Sequence, residues 1–126
     1  MRTAIVVLSF ILMCFTPVHG AVAQRSDLTT LYCEAEAEVY ADGLLIGILG
    51  ANDAQKYSRM GEWRRSYSSF PANVIRNMLN AFEGGYDVGQ KVGREMPSYR
   101  TDSALRSQFV SAANESHILR CLNRNS

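Results

Sequence analysis

Apolar and small side chains recur at helical spacing from about residue 27 to residue 49. The alternation from Cys33 to Val39 is, taken alone, typical of a half-buried strand, but alanine and glutamate are strong helix formers and are depleted in strands. The length of the pattern then favours a helix, and Gly50 follows as a stop signal. The predicted inner face comprises Leu31, Cys33, Ala37, Tyr40, Ala41, Leu44, Leu45 and Ile48.

Two further helical segments follow in the pattern. Within residues 52–69 the signal is weaker and predicts a short helix with Lys56, Arg59, Arg64 and Arg65 facing outward and with Ala54, Tyr57, Met60 and Trp63 on one face. Pro71 suits the first position of the next helix, where its missing N–H has no helical partner. An apolar seam then runs to Pro97 at spacings of three and four, through Ile75, Met78, Phe82, Gly85, Gly89, Val92 and Met96.

The last segment is predicted to begin with Ser98 or Thr101 as N-cap, to carry an apolar side from Leu105 onward, and to end near Cys121. No stretch combines strand periodicity with turn residues on both sides. The pattern therefore predicts an all-α fold, a small bundle of three to four helices.

Gly85, Gly89 and Gly93 lie four residues apart on the third predicted helix. Each glycine inside a helix costs about 1 kcal/mol relative to alanine, so three on one face need a compensating contact. Close packing against another helix would supply it. The alternative is that Gly84 and Gly85 end the helix and residues 84–93 form a loop. The apolar seam continues to Met96, which favours the helix.

The N-terminus has the pattern of a secretory signal peptide. A basic start at Arg2 precedes an apolar run from Ala4 to Phe15, and the small residues 21–23 follow. The run is shorter than the roughly 20 residues that a membrane-spanning helix needs. We expect cleavage after Ala23, or alternatively after Gly20, and a single domain over residues 24–126 that is periplasmic or secreted.

Export changes the interpretation of the cysteines. Removal of residues 1–23 takes away Cys14 and leaves Cys33 and Cys121. In an oxidising compartment two remaining thiols are most simply a disulfide. Such a bond would tie the first helix to the last.

Charge excludes some classes of partner. Without Arg2 the chain carries 12 basic and 12 acidic side chains. A balanced charge gives no electrostatic reason to bind nucleic acid or an anionic membrane. No cofactor is predicted, because no strand precedes the glycines and no phosphate-binding lysine motif is present.

Four carboxylates crowd into the first helix. Glu34, Glu38 and Asp42 share one side and Glu36 points elsewhere. Paired carboxylates can catalyse glycoside hydrolysis, but acid and base roles need environments that drive their pKa values apart. A lone helix also cannot surround a hard cation with enough oxygen ligands. We therefore expect neither a catalytic nor a metal site among these carboxylates. His117 lies four residues before Cys121 on the same predicted helix, so we expect its side chain to pack near the disulfide.

Acidic and basic residues are segregated. Residues 27–53 hold six acids and no base, whereas residues 56–65 hold four bases and one acid. The favoured interpretation is an intramolecular match between these segments. In the alternative, Glu34, Glu38 and Asp42 dock a basic partner. Trp63, Arg64 and Arg65 are a second candidate contact, because Trp and Arg are common interface anchors.

The arrangement as a whole resembles the small periplasmic immunity proteins that protect bacteria from type VI secreted amidase effectors. The likeness rests on "DLTTLYCEAEAEVYADGLLIGIL", a helix ending in "MP", and the final "SALRSQFVSAANESHILRC". It covers most of the mature chain, although that family often has further cysteines. The resemblance implies an all-α protein, often dimeric, that occludes the active site of a toxin and has no chemistry of its own. The alternative from another class is a structural or envelope-maintenance protein without a tight partner.

Overall fold

The computed structural model describes residues 28–126, and this part of the chain forms five helices and no strand. Helix α1 occupies residues 28–48. It is followed by α2 (Asp53–Ser66), α3 (Ala72–Glu95), α4 (Ser98–Thr101) and α5 (Ser103–Arg124). The all-α prediction is confirmed. The predicted signal peptide lies outside the described residues.

Local hydrogen bonds define the connection between α1 and α2. Gly50 has a positive φ of 80°, which glycine adopts without steric cost. Its N–H donates to the carbonyl of Gly47, and the N–H of Ala51 donates to that of Ile46, the pattern of a Schellman C-cap. Asn52 then exchanges two hydrogen bonds with Gln55, each of 2.9 Å, and so caps α2.

Helix α3 is continuous through residues 84–93, so the loop alternative does not hold. Pro71 is the residue before the helix rather than its first residue. The predicted caps of the last helix were wrong, because Ser98–Thr101 forms the separate short helix α4. Asp102 has an extended backbone and accepts a 3.0 Å hydrogen bond from the N–H of Leu105, which starts α5 there.

The core lies where α1 packs on α3. The largest side chains with essentially no exposure are Phe82, Leu44, Ile48, Met78, Val39 and Cys33. Glycines on both helices make this contact close. A Cβ atom on Gly43 would overlap the carbonyl oxygen of Phe82, and one on Gly89 would overlap that of Leu44. The two backbones therefore touch directly, as small residues at this spacing permit.

Helix α2 lies on the outside of this pair and has no buried residue. Met60 and Trp63 pack against the core, but Tyr57 is 59% exposed, so its predicted inward position was wrong. Leu31 is likewise 48% exposed, because the buried face of α1 is narrower at this end than the predicted apolar face.

A disulfide between Cys33 and Cys121 joins α1 to α5, with Cα atoms 5.5 Å apart. Both residues are buried. The predicted pairing is confirmed, and it places the end of the chain against the start of α1.

Candidate functional site

The four carboxylates of α1 separate into two environments. Glu34 and Glu38 are exposed, and Asp42 is partly buried. Glu36 is buried, with 12% of its side chain accessible. These positions follow from helical geometry, since residues four apart share a side and Glu36 falls on the opposite one.

Two of the outer carboxylates hold α2 against α1. Asp42 accepts a 2.7 Å hydrogen bond from the indole N–H of Trp63 and lies 2.8 Å from Nε of Arg59. Glu38 accepts a 3.1 Å hydrogen bond from the hydroxyl of Tyr67. The match between the acidic and basic segments is thus made in part within the molecule. Arg64 and Arg65 remain exposed and Trp63 is partly buried.

Aromatic rings continue this attachment beyond the end of α2. Trp63 stacks on Tyr67 with ring centroids 5.8 Å apart, and Tyr67 contacts Phe70, whose ring meets Tyr32 of α1 edge-on at 5.1 Å. Burial, followed by the hydrogen bond and charge of Glu38, raises the pKa of the Tyr67 hydroxyl. The hydroxyl therefore stays protonated and donates to Glu38.

Glu36 is the centre of a polar cluster beside the disulfide, which we call the Glu36 cluster. One carboxylate oxygen lies 3.1 Å from Nε2 of His117 and 2.9 Å from a guanidinium nitrogen of Arg124. The other lies 3.4 Å from Sγ of Cys121. That sulfur has no proton because it is in the disulfide, so this last approach is a van der Waals contact.

Charge and tautomer in the Glu36 cluster follow from these contacts. Burial acts to raise the pKa of the Glu36 carboxyl, but the hydrogen bonds from His117 and Arg124 and their charges outweigh it, and the pKa is lowered. An ionised carboxylate only accepts, so Nε2 of His117 carries the proton. Its Nδ1 is buried and has no hydrogen-bond partner among the described residues. The His117 ring stacks on Tyr40 at 4.6 Å.

The cluster predicts a specific pH dependence. Because the folded pKa of Glu36 is below its ordinary value of 4.5, its stabilising contribution is complete above that pH and is lost as the pH falls through the lowered value. Glu36→Gln removes this contribution. We expect the variant to lose about 2 kcal/mol of unfolding free energy at pH 7, the scale of hydrogen bonds to a charged group.

Urea denaturation of the wild type and Glu36→Gln at pH 7 and at pH 3 measures the effect, and the difference between them should shrink at the lower pH. Glu34→Gln is the matched control, since Glu34 is exposed on the same helix, and it should stay within about 0.5 kcal/mol of the wild type. An equal difference at both pH values would contradict this role for Glu36.

No group of three or more His, Cys, Asp or Glu side chains within residues 28–126 is arranged to hold a metal ion. Three of the four glycines of α3 serve packing. Gly85 and Gly89 contact the backbone of α1, and a Cβ on Gly93 would crowd the carbonyl of Ile48 and the side chain of Arg100.

Open grooves border α1 in the described part of the chain, and two of them flank its solvent side. The α1–α2 groove has a main section of about 740 Å³, with Ile46, Leu49 and Ala54 at its apolar end. Arg59 and Glu62 also line an adjoining section of about 300 Å³ that reaches Asp42 and Trp63. The α1–α5 groove, of about 620 Å³, lies on the other side of α1 between Leu45 and Val110.

Helical spacing predicts that Glu36 lies apart from the other acids and that His117 lies near the disulfide, but it does not predict the ion pair of Glu36 with Arg124. One signal was available, because Glu36 is the acid of this helix whose neighbours three and four positions away carry no charge: they are Tyr32, Cys33, Val39 and Tyr40. A charged residue in that position needs a partner. The two grooves left no comparable signal in the pattern.

Comparison with known proteins places no family or fold beside this chain. No protein-family model, no curated protein and no solved structure matches it. Among the helices between residues 28 and 126, none combines the length and apolar character needed to cross a membrane.

Proposed function

We propose that this is an exported, non-catalytic protein that acts by binding another protein. In the most specific form it is an immunity or inhibitor protein that covers the active site of a toxin or a cell-wall enzyme. The observation that carries the proposal is the α1–α2 groove, which has an apolar end around Leu49 and a charged end around Arg59 and Glu62. Such a recess fits a protruding segment of a partner.

Two features of the frame support a binding role. The disulfide ties α1 to α5 and the interlocked glycines fix α1 against α3, which holds the α1 wall of the groove, and the bonds of Trp63 and Arg59 to Asp42 hold the α2 wall against it. A preorganised surface loses less conformational entropy on association and therefore binds more tightly for the same contacts. The disulfide also agrees with an oxidising, extracytoplasmic location.

The test uses the full chain, tagged at its C-terminus and expressed in its own host. Proteins recovered with it from the envelope fraction are identified by mass spectrometry. The wild type should recover one specific protein at stoichiometric yield. Leu49→Arg should reduce that recovery about tenfold or more, because it puts a charge at the apolar end of the groove.

Leu119→Arg is the matched control. Leu119 is 63% exposed on α5 and lines neither groove, whereas Leu49 is 51% exposed. Recovery with Leu119→Arg should equal that of the wild type. If the wild type recovers no protein, the envelope-maintenance alternative is favoured over inhibition.

A further inference from the structure

The solvent side of α1 joins the two grooves into one surface, which we call the α1 face. Glu34, Glu38 and Leu45 share this side of the helix, since they are spaced by four and seven residues. The α1–α2 groove borders it on one side and the α1–α5 groove, with Val110 and Glu115, on the other. The face thus combines an acidic ridge with a recess on each flank.

Charge on the α1 face is predominantly negative. Its carboxylates are Glu34, Glu38, Asp42, Glu62 and Glu115. The cationic groups that line its two grooves are Arg59 and Arg106, and both already have hydrogen-bond or ion-pair partners. Arg59 lies 2.8 Å from Asp42 and 3.6 Å from Glu62, and Arg106 donates to the carbonyls of Tyr99 and Arg100 at 3.2 and 2.9 Å. Glu34 and Glu115 are exposed and enter no ion pair among the described residues.

We infer that the α1 face docks a basic segment of the partner protein, with Lys or Arg side chains over the exposed carboxylates and an apolar side chain in a groove. This inference rests on the proposed binding function. Complementary charge selects such a segment, because an acidic one would be repelled. A second copy fits less well, since two-fold pairing through one face would set carboxylates against carboxylates.

The experiment places a photo-crosslinking phenylalanine analogue, p-benzoyl-phenylalanine, at Leu45 of the full chain in its own host. The same analogue at Val88 is the control, because Val88 is 43% exposed on α3 and lines neither groove. After irradiation, mass spectrometry identifies the crosslinked peptide. We expect position 45, and not position 88, to yield an adduct with a segment of another protein that carries a net positive charge.

Charge-reversal variants test whether the exposed carboxylates attract the partner. Glu34→Lys with Glu115→Lys should lower the adduct yield at position 45 about tenfold, whereas Asp87→Lys with Glu95→Lys on α3 should leave it unchanged. An adduct with an acidic or uncharged segment, with a second copy, or with the chain's own N-terminal part overturns the inference. The inference is also overturned if only position 88 gives an adduct, or if neither position gives one while a partner still co-purifies. In these two cases the proposed binding function stands. If neither position gives an adduct and no protein co-purifies, the inference and the proposed function are both overturned.

Discussion

Replacing Cys33 and Cys121 together by alanine is expected to lower the free energy of unfolding by about 4–5 kcal/mol. The bond joins residues 88 positions apart, so its loss releases a long loop in the unfolded chain. Chain entropy makes the effect large for loops of this length, and a domain of this size has only about 5–15 kcal/mol of stability in total. The loss is therefore a large share of the total stability.

Urea denaturation of the oxidised protein, the reduced protein and the double variant measures this prediction. The reduced protein and the variant should have similar midpoints, both well below that of the oxidised protein. A Ser111→Ala variant, at an exposed position on α5, controls for substitution itself and should behave like the wild type. Equal midpoints for the oxidised and reduced proteins would contradict the prediction that the disulfide stabilises the fold.

Gly89→Ala is expected to destabilise the protein by about 3 kcal/mol, the upper part of the usual range for overpacking a core. The added methyl group meets the carbonyl oxygen of Leu44 and the amide nitrogen of Ile48, and both atoms belong to the backbone of α1. A backbone cannot rotate away as a flexible side chain can. Helices α1 and α3 must therefore separate, which loosens the contacts around Phe82.

Gly84→Ala provides the matched control in the same helix. Gly84 is exposed, and a Cβ there meets no atom within 4 Å. Alanine should stabilise this position by about 0.5–1 kcal/mol, because glycine is the poorer helix former. Thermal unfolding followed by circular dichroism should thus show opposite shifts for the two variants. Shifts of the same sign would contradict the close contact between α1 and α3.

The helices could be predicted because the apolar periodicity and the capping residues act locally. The seam from Ile75 to Val92 indicated a continuous helix through the glycines, and the two cysteines outside the predicted signal peptide could pair in only one way. Asp102 was missed as the cap of α5 because Ser98, Thr101 and Asp102 are all favourable N-caps. Which of the three residues caps α5 depends on how α4 packs against α3.

The polar contacts could not be derived in the same way. Arg124 and His117 reach Glu36 across 88 and 81 positions of sequence, so their meeting depends on how α5 crosses α1. The same holds for Trp63 and Asp42, which are 21 residues apart. The segregation of charge indicated that the acidic and basic segments could attract each other. Which carboxylates form bonds to α2 and which stay exposed is decided only by how α2 packs on α1.

We propose, as the central claim, that the protein inhibits a partner by covering it. The most direct measurement is the activity of the co-purified partner, assayed on its own substrate against increasing amounts of a protein that comprises residues 24–126. We predict that activity falls to near zero at stoichiometric addition, that Leu119→Arg inhibits equally, and that Leu49→Arg requires about tenfold more protein. A partner that stays fully active while bound would contradict the claim.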